Sequence, residues 1–123
     1  QMLKITHADH LNLNVKNLTQ TIKFYNDVFG FEVREQGDSH GSPYAIIGKK
    51  HVFFLCLHER GEISELGHLG FHIDNFGEIK EKLTDLGVEI QNDYQYPESR
   101  SLYIVDPNGI EIELSENFGG LRS

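Results

Sequence analysis

One cysteine, little positive charge and no long apolar run bound what this chain can be. Cys56 is the single cysteine among 123 residues, so no internal disulfide can form. That usage fits a reducing, cytoplasmic setting. No apolar stretch approaches the roughly 20 residues that a membrane span needs, and nothing at the start resembles a signal peptide. Eleven Lys and Arg stand against 19 Asp and Glu, a net charge of −8. Phosphate backbones and anionic lipid are repelled by such a balance, which excludes nucleic-acid and membrane partners. A cationic ligand is compatible with it. There is also no Walker A sequence, no GxGxxG after a strand, no GxSxG and no CxxC. A serine-nucleophile mechanism therefore has no support.

What is present is a repeat. In "DHLNLNV", His10, Asn12 and Asn14 share one face of an alternating strand, and Leu11, Leu13 and Val15 share the other. "GHLGFHI" repeats this, with His68, Gly70 and His72 against Leu69, Phe71 and Ile73. A helical stripe follows each strand: Leu18, Ile22, Tyr25 and Phe29, then Phe76, Ile79, Leu83 and Leu86. Asn17 with Gln20, and Asn75 with Glu78, predict capping boxes; Gly30 and Gly87 predict helix stops. Strand-like runs then fall at 31–35, 44–48 and 52–58, and at 88–92, 101–105 and 110–116, with a polar joint at 59–66. The expected fold is α+β: two βαβββ modules pairing into a curled mixed sheet. Residues 2–123 form a single domain made of module 4–59 and module 66–118.

The apolar face of each first strand packs on its helix, so the His and Asn face must line something wet. If the modules pair about a pseudo-twofold axis, His10 and His68 converge. Glu113, in "DPNGIEIEL", supplies a carboxylate, with Glu111 a rival on the same strand face. Two imidazoles and a carboxylate can hold a divalent metal with positions left open for substrate. Each strand histidine alone reads as a solvated or hydrogen-bonded residue. Cys56 reads equally as a thiol lining the concave face or as core filler. His72 is open to substrate contact or core hydrogen bonding. His7, His40, His51 and His58 read as surface or loop residues, "GDSHGSP" as a hairpin loop, and Tyr94, Tyr96 and Arg100 as residues at the mouth of the site.

Taken together, "DHLNLNVKNLTQTIKFYNDVFGFEV", "GHLGFHID" and "SLYIVDPNGIEIEL" resemble the vicinal oxygen chelate superfamily, the glyoxalase, bleomycin-resistance and extradiol-dioxygenase group. The resemblance runs from Lys4 to about Phe118. It implies a concave metal-binding cup with His10, His68 and Glu113 on the ligand positions. Laying "CLHE" on "ELSE" puts Cys56 opposite Glu113, where glyoxalase I enzymes carry a glutamate, which argues against their isomerase reaction. The three-ligand set is similar to that of the fosfomycin-resistance thiol transferases. By that resemblance Glu113 and Cys56 are the catalytic candidates, and Ser101, Tyr103 and Arg122 fall on phosphonate-contacting positions; Asn12 and His72, on the histidine faces, join them as candidate substrate contacts. Asp93 stands near where those enzymes carry a substrate-binding lysine, and this argues against an anionic phosphonate.

The expected activity is that of a metal-dependent lyase, isomerase, thiol transferase or dioxygenase acting on a small oxygenated substrate. Zn, Ni, Mn or Fe(II) would serve as the metal, with a thiol such as glutathione as co-substrate for transfer. The alternative is a bleomycin-resistance-like protein that sequesters a cationic ligand without chemistry. The family also implies a homodimer with sites shared between chains, His10 from one and His68 from the other.

Overall fold

The structure, a computed structural model, describes residues 8, 10–49, 52–63, 65–66, 68–95 and 100–116. The chain divides into two compact units, Gln1–Ser64 and Glu65–Ser123. The boundary falls within the polar 59–66 stretch.

In the first unit β1 (His10–Val15) leads into α1 (Leu18–Phe29), then β2 (Glu32–Ser39), β3 (Ser42–Lys49) and β4 (Phe53–Glu59). The sheet order is β1-β4-β3-β2, with β1 parallel to β4 and the other pairs antiparallel. Leu13 and Val15 from β1, Ala45 and Ile47 from β3, and Leu55 and Leu57 from β4 are buried on one sheet face. α1 packs on β3 and β4. Its buried stripe is Leu18, Thr21, Tyr25 and Val28, whereas Ile22 and Phe29, expected in the stripe, are only half-buried. The stripe turns because the Thr21 hydroxyl donates back to the Asn17 carbonyl at 2.8 Å, leaving its methyl group free to enter the core. Asn17 caps as expected, accepting from the Gln20 backbone N–H at 2.8 Å. A second cap comes from the far end of the unit, where Glu59 Oε2 accepts from Leu18 N–H at 2.8 Å. Gly30 ends the helix at φ 69.

β2 and β3 run longer than expected because the hairpin between them is tight. The turn is His40 and Gly41 alone, at φ 52 and 83, and Asp38 Oδ1 accepts from Gly41 N–H at 2.9 Å.

The second unit repeats the plan: β5 (Leu69–His72), α2 (Phe76–Asp85), β6 (Asn92–Gln95), β7 (Arg100–Val105) and β8 (Glu111–Ser115). The order is β5-β8-β7-β6, with β5 parallel to β8. Phe76, Ile79 and Leu83 face the core with Leu102, Ile104, Ile112 and Leu114. Three expectations fail here. Asn75, at φ −100 and ψ 42, is not extended, so its side chain makes no cap and its carbonyl instead accepts from Glu78 N–H at 3.0 Å. Leu86 lies past the helix and is 40% exposed. The strand expected at 88–92 begins only at Asn92: Val88 N–H is held by the Leu83 carbonyl at 2.8 Å, so the helix ending consumes that backbone. "DPNG" forms the turn into β8, with Asp106 Oδ1 accepting from Asn108 N–H at 2.8 Å and Ile110 N–H at 2.9 Å.

Candidate metal centre

Each unit presents one sheet face away from its helix, and the chemistry-bearing residues stand there. In the second unit the ladder sets Glu113 between Gly70 on β5 and Tyr103 on β7. Its carboxylate is buried, with His68 Nε2 3.1 Å from Oε1. Oε2 accepts from the Ser101 hydroxyl at 2.7 Å and from the Ser115 hydroxyl at 3.1 Å. The Tyr103 hydroxyl donates to the same carboxylate. Burial alone pushes this acid up. The hydrogen bonds from Ser101, Tyr103 and Ser115, with the adjacent His68, outweigh burial and hold it below the ordinary carboxylate range. Glu113 is therefore ionised at neutral pH. Gly70 opposite it leaves open space where a Cβ would stand. The ring of Tyr103 meets His68 edge-on at 5.8 Å and Tyr94 edge-on at 5.8 Å. Glu111 is exposed, paired with Val105.

In the first unit His10 opens β1 and is exposed, opposite Phe54; Asn12, also exposed, stands opposite Cys56. Cys56 alternates with the fully buried Leu55 and Leu57. Its side chain is half-buried on the opposite face, the one that carries His10 and Asn12. Of the two readings of this thiol, core filler is the one its position disfavours.

The register makes the repeat concrete. Asn12–Cys56–Ile46 in the first sheet matches Gly70–Glu113–Tyr103 in the second, and Tyr44–His58 matches Ser101–Ser115. Cys56 thus occupies the place of Glu113, with Tyr44 and His58 where the second sheet has Ser101 and Ser115. Among the described residues, no three His, Cys, Asp or Glu side chains gather into a metal-holding cluster within either unit. The donors present, an imidazole nitrogen and an ionised carboxylate oxygen facing each other, suit a first-row divalent ion.

Ser101 is fully buried and its hydroxyl is directed to Glu113. His72 lies on β5 opposite Ser115, and its side chain is outside the described residues, as are Arg122, Tyr96, His7 and His51. Arg100 is not at the mouth of the Glu113 face. It lies over the Phe76 ring of α2 at 5.5 Å and grips Asp93 through Nε at 3.1 Å and Nη2 at 2.7 Å. Lys80 of α2 holds the same carboxylate at 2.6 Å. Those hydrogen bonds keep the Asp93 carboxyl well below its ordinary range. Asp93 pairs with Leu102, so it points to the helix side and cannot repel a ligand beside Glu113. Ser115 was missed in the sequence. Its signal is its spacing, two residues from Glu113 on one strand face. His58 was misread as a surface or loop residue: it lies within β4, half-buried, and its Nδ1 is buried with no hydrogen-bond partner.

A repeated unit of one helix and four mixed strands, with a histidine before or at each first strand, defines a glyoxalase-type protein. Residues 7–114 match the Glyoxalase/Bleomycin resistance protein/Dioxygenase superfamily, and the chain belongs to it. It is 29% identical over 113 residues to a trivalent organoarsenical cleaving enzyme of Bacillus sp. (strain MD1), covering 85% of this chain and 69% of that one. It is likewise 29% identical over 121 residues to the metallothiol transferase FosB of Lysinibacillus sphaericus (strain C3-41), covering 90% and 82%. Among solved structures, the fosfomycin resistance protein FosX of Listeria monocytogenes, complexed with Mn(II) and sulfate ion, matches at TM-score 0.73 and 26% identity, over 93% of this chain and 94% of that one.

Proposed function

We propose that this protein is a metal-dependent enzyme of the thiol-transferase or lyase kind, acting on a small substrate that chelates a divalent ion through oxygen. The observation that carries the reading is Glu113: buried, ionised, fixed by Ser101 and Ser115 at Oε2, and facing His68 with Oε1. His68 and Glu113 would hold the ion together with His10. A divalent metal bound there supplies Lewis acidity toward a substrate oxygen. Ser101, Ser115 and Tyr103 keep Glu113 charged and aimed. Gly70 leaves room beside the carboxylate for substrate. Asn12 and Cys56 line the corresponding face of the first module and are proposed as substrate contacts, with His72, Tyr103 and Arg122 from the second. A thiol such as glutathione is the proposed co-substrate. The proposed assembly is a cytoplasmic homodimer in which His10 and His68 of one site come from different chains. The named activities of the relatives support a thiol-transferring or organoarsenical-cleaving chemistry, and the lack of a carboxylate as fourth ligand at Cys56 disfavours the glyoxalase I isomerase.

The test is metal content after reconstitution with Mn(II), Zn(II), Ni(II) or Fe(II), in the parent and in His10→Ala, His68→Ala and Glu113→Ala. About one ion per chain in the parent, lost in every variant, is expected. Loaded protein is then assayed for thiol addition to fosfomycin and for cleavage of a trivalent organoarsenical. A parent that takes up no ion under any condition overturns the reading.

A further inference from the structure

Two tyrosines extend the Glu113 site across its sheet. β6 stands at the end of the β5-β8-β7-β6 order and pairs with β7 through Asn92–Tyr103 and Tyr94–Ser101. β7 in turn sets Tyr103 against Glu113 of β8. Alternation therefore puts Tyr94, Tyr103 and Glu113 on one sheet face. Tyr94 lies diagonally from Tyr103, a spacing that aromatic side chains can bridge. Its ring meets Tyr103 edge-on at 5.8 Å and 83°. The Tyr103 ring meets His68 edge-on at 5.8 Å and 78°. A row of three rings thus runs from the end strand to the imidazole that faces Glu113. In the first module Gly37 and Ile46 hold the places of Tyr94 and Tyr103, so the row goes with Glu113 and not with Cys56.

We propose, resting on the reading of His68 and Glu113 as metal ligands, that Tyr94 is a positioning residue: it braces the Tyr103 ring against His68 and so fixes the imidazole for the ion. His68 needs such support. It precedes β5 and lies outside the β5–β8 ladder, and its side chain is 45% exposed. Its Nε2 stands 3.1 Å from Glu113 Oε1. An ion held by those two atoms would take the place of that contact. The edge-on contact with Tyr103 does not depend on the pair, and it remains to orient the imidazole. Tyr103 can orient His68 only if its own ring is held. Its hydroxyl is held at Glu113 and its ring by Tyr94. Groups behind a metal's ligands set how well those ligands are aimed, and their loss is read in metal affinity. An edge-on aromatic pair is worth about two- to tenfold in a binding constant. Tyr94 is itself 45% exposed, so it contributes little to the core, and its loss should be felt at His68 rather than in folding.

The test is Co(II) uptake by the full chain, read by the visible absorption of the bound ion, which follows ligand geometry, and by competition with a chromophoric chelator. The parent is compared with Tyr94→Val, Tyr94→Thr and Tyr94→Phe. Valine and threonine delete the ring with side chains that favour strands, and phenylalanine keeps the ring. The Co(II) dissociation constant should rise about three- to tenfold in the Val and Thr variants, with altered absorption bands, and should keep the parent's value in Tyr94→Phe. Ring-deleting variants that bind Co(II) as the parent does overturn the proposal and leave the metal reading standing. So does a Tyr94→Phe variant as weak as the other two, since the ring is then not what acts. A urea midpoint of the metal-free protein that falls in the Val and Thr variants while Co(II) binding is unchanged assigns Tyr94 to the fold alone, and also overturns it. A parent that takes up no Co(II) overturns the metal reading and the proposal with it.

Discussion

Removing the Ser101 hydroxyl isolates the contact that keeps Glu113 charged while buried. In Ser101→Ala the carboxylate loses its 2.7 Å donor and retains Ser115 at 3.1 Å. A hydrogen bond to a charged group contributes about 1.5–3 kcal/mol, and one pKa unit corresponds to about 1.36 kcal/mol. The Glu113 pKa should therefore rise. Its folded pKa lies below the ordinary 4.5, so its stabilisation is present above that value and is lost as pH falls through the depressed pKa. The variant should thus be less stable by about 1.5–3 kcal/mol at pH 7, and the gap should close toward acid. Urea unfolding of metal-free parent and variant, from neutral pH down to the acid limit of folding, reads this directly. A gap of the same size at every pH would mean that Ser101 contributes only packing, and would refute the account of Glu113. No gap at neutral pH would refute it as well.

Four further variants test contacts elsewhere in the fold. Asn17→Ala should cost about 1 kcal/mol of unfolding free energy, and Glu59→Ala about 1–2 kcal/mol, because each removes the acceptor of an orphan N–H at the start of α1; denaturant midpoints check both. Gly48→Ala should lower stability by about 1–3 kcal/mol, since a Cβ there would come within 2.3 Å of the Phe53 carbonyl oxygen and force the β3–β4 pair apart. Asp93→Asn should leave metal content and any activity unchanged, because the carboxylate it replaces sits against Lys80 and Arg100 on the helix side; a clear effect on either would show that this cluster communicates with Glu113.

Much of this fold is legible in residue order. The two alternating histidine strands, the Asn17 cap and the Gly30 stop each rest on local geometry, so periodicity and turn chemistry suffice. Asn75 shows the limit: its residue type suits a cap, but the preceding turn sets a backbone angle that the type cannot dictate. Asp93 and Arg100 show another. Both share strand parity with core residues, Arg100 with Leu102 and Asp93 across from it, so their orientation was available from the alternation. Reading them by charge and by resemblance, rather than by parity, put them on the wrong face. Glu113 was recoverable through "DPNGIEIEL", because the turn that Asp106 clamps fixes which residues of β8 point inward. The orphaned nitrogen of His58 had no sequence signal, since it depends on what three strands leave beside it.

The unequal surroundings of Cys56 and Glu113 limit how the two halves can diverge or be brought back together. Both modules present the same backbone slot, with Ser101 and Ser115 beside it in the second and Tyr44 and His58 in the first. A single change of Cys56 to glutamate would place an acid beside Ile46, Tyr44 and His58 rather than beside Tyr103, Ser101 and Ser115, so the serine donors that hold Glu113 ionised would be missing. Symmetry of sequence at that slot would not restore symmetry of charge. Giving the first module an ionised acid at this slot therefore involves its neighbours as well as Cys56.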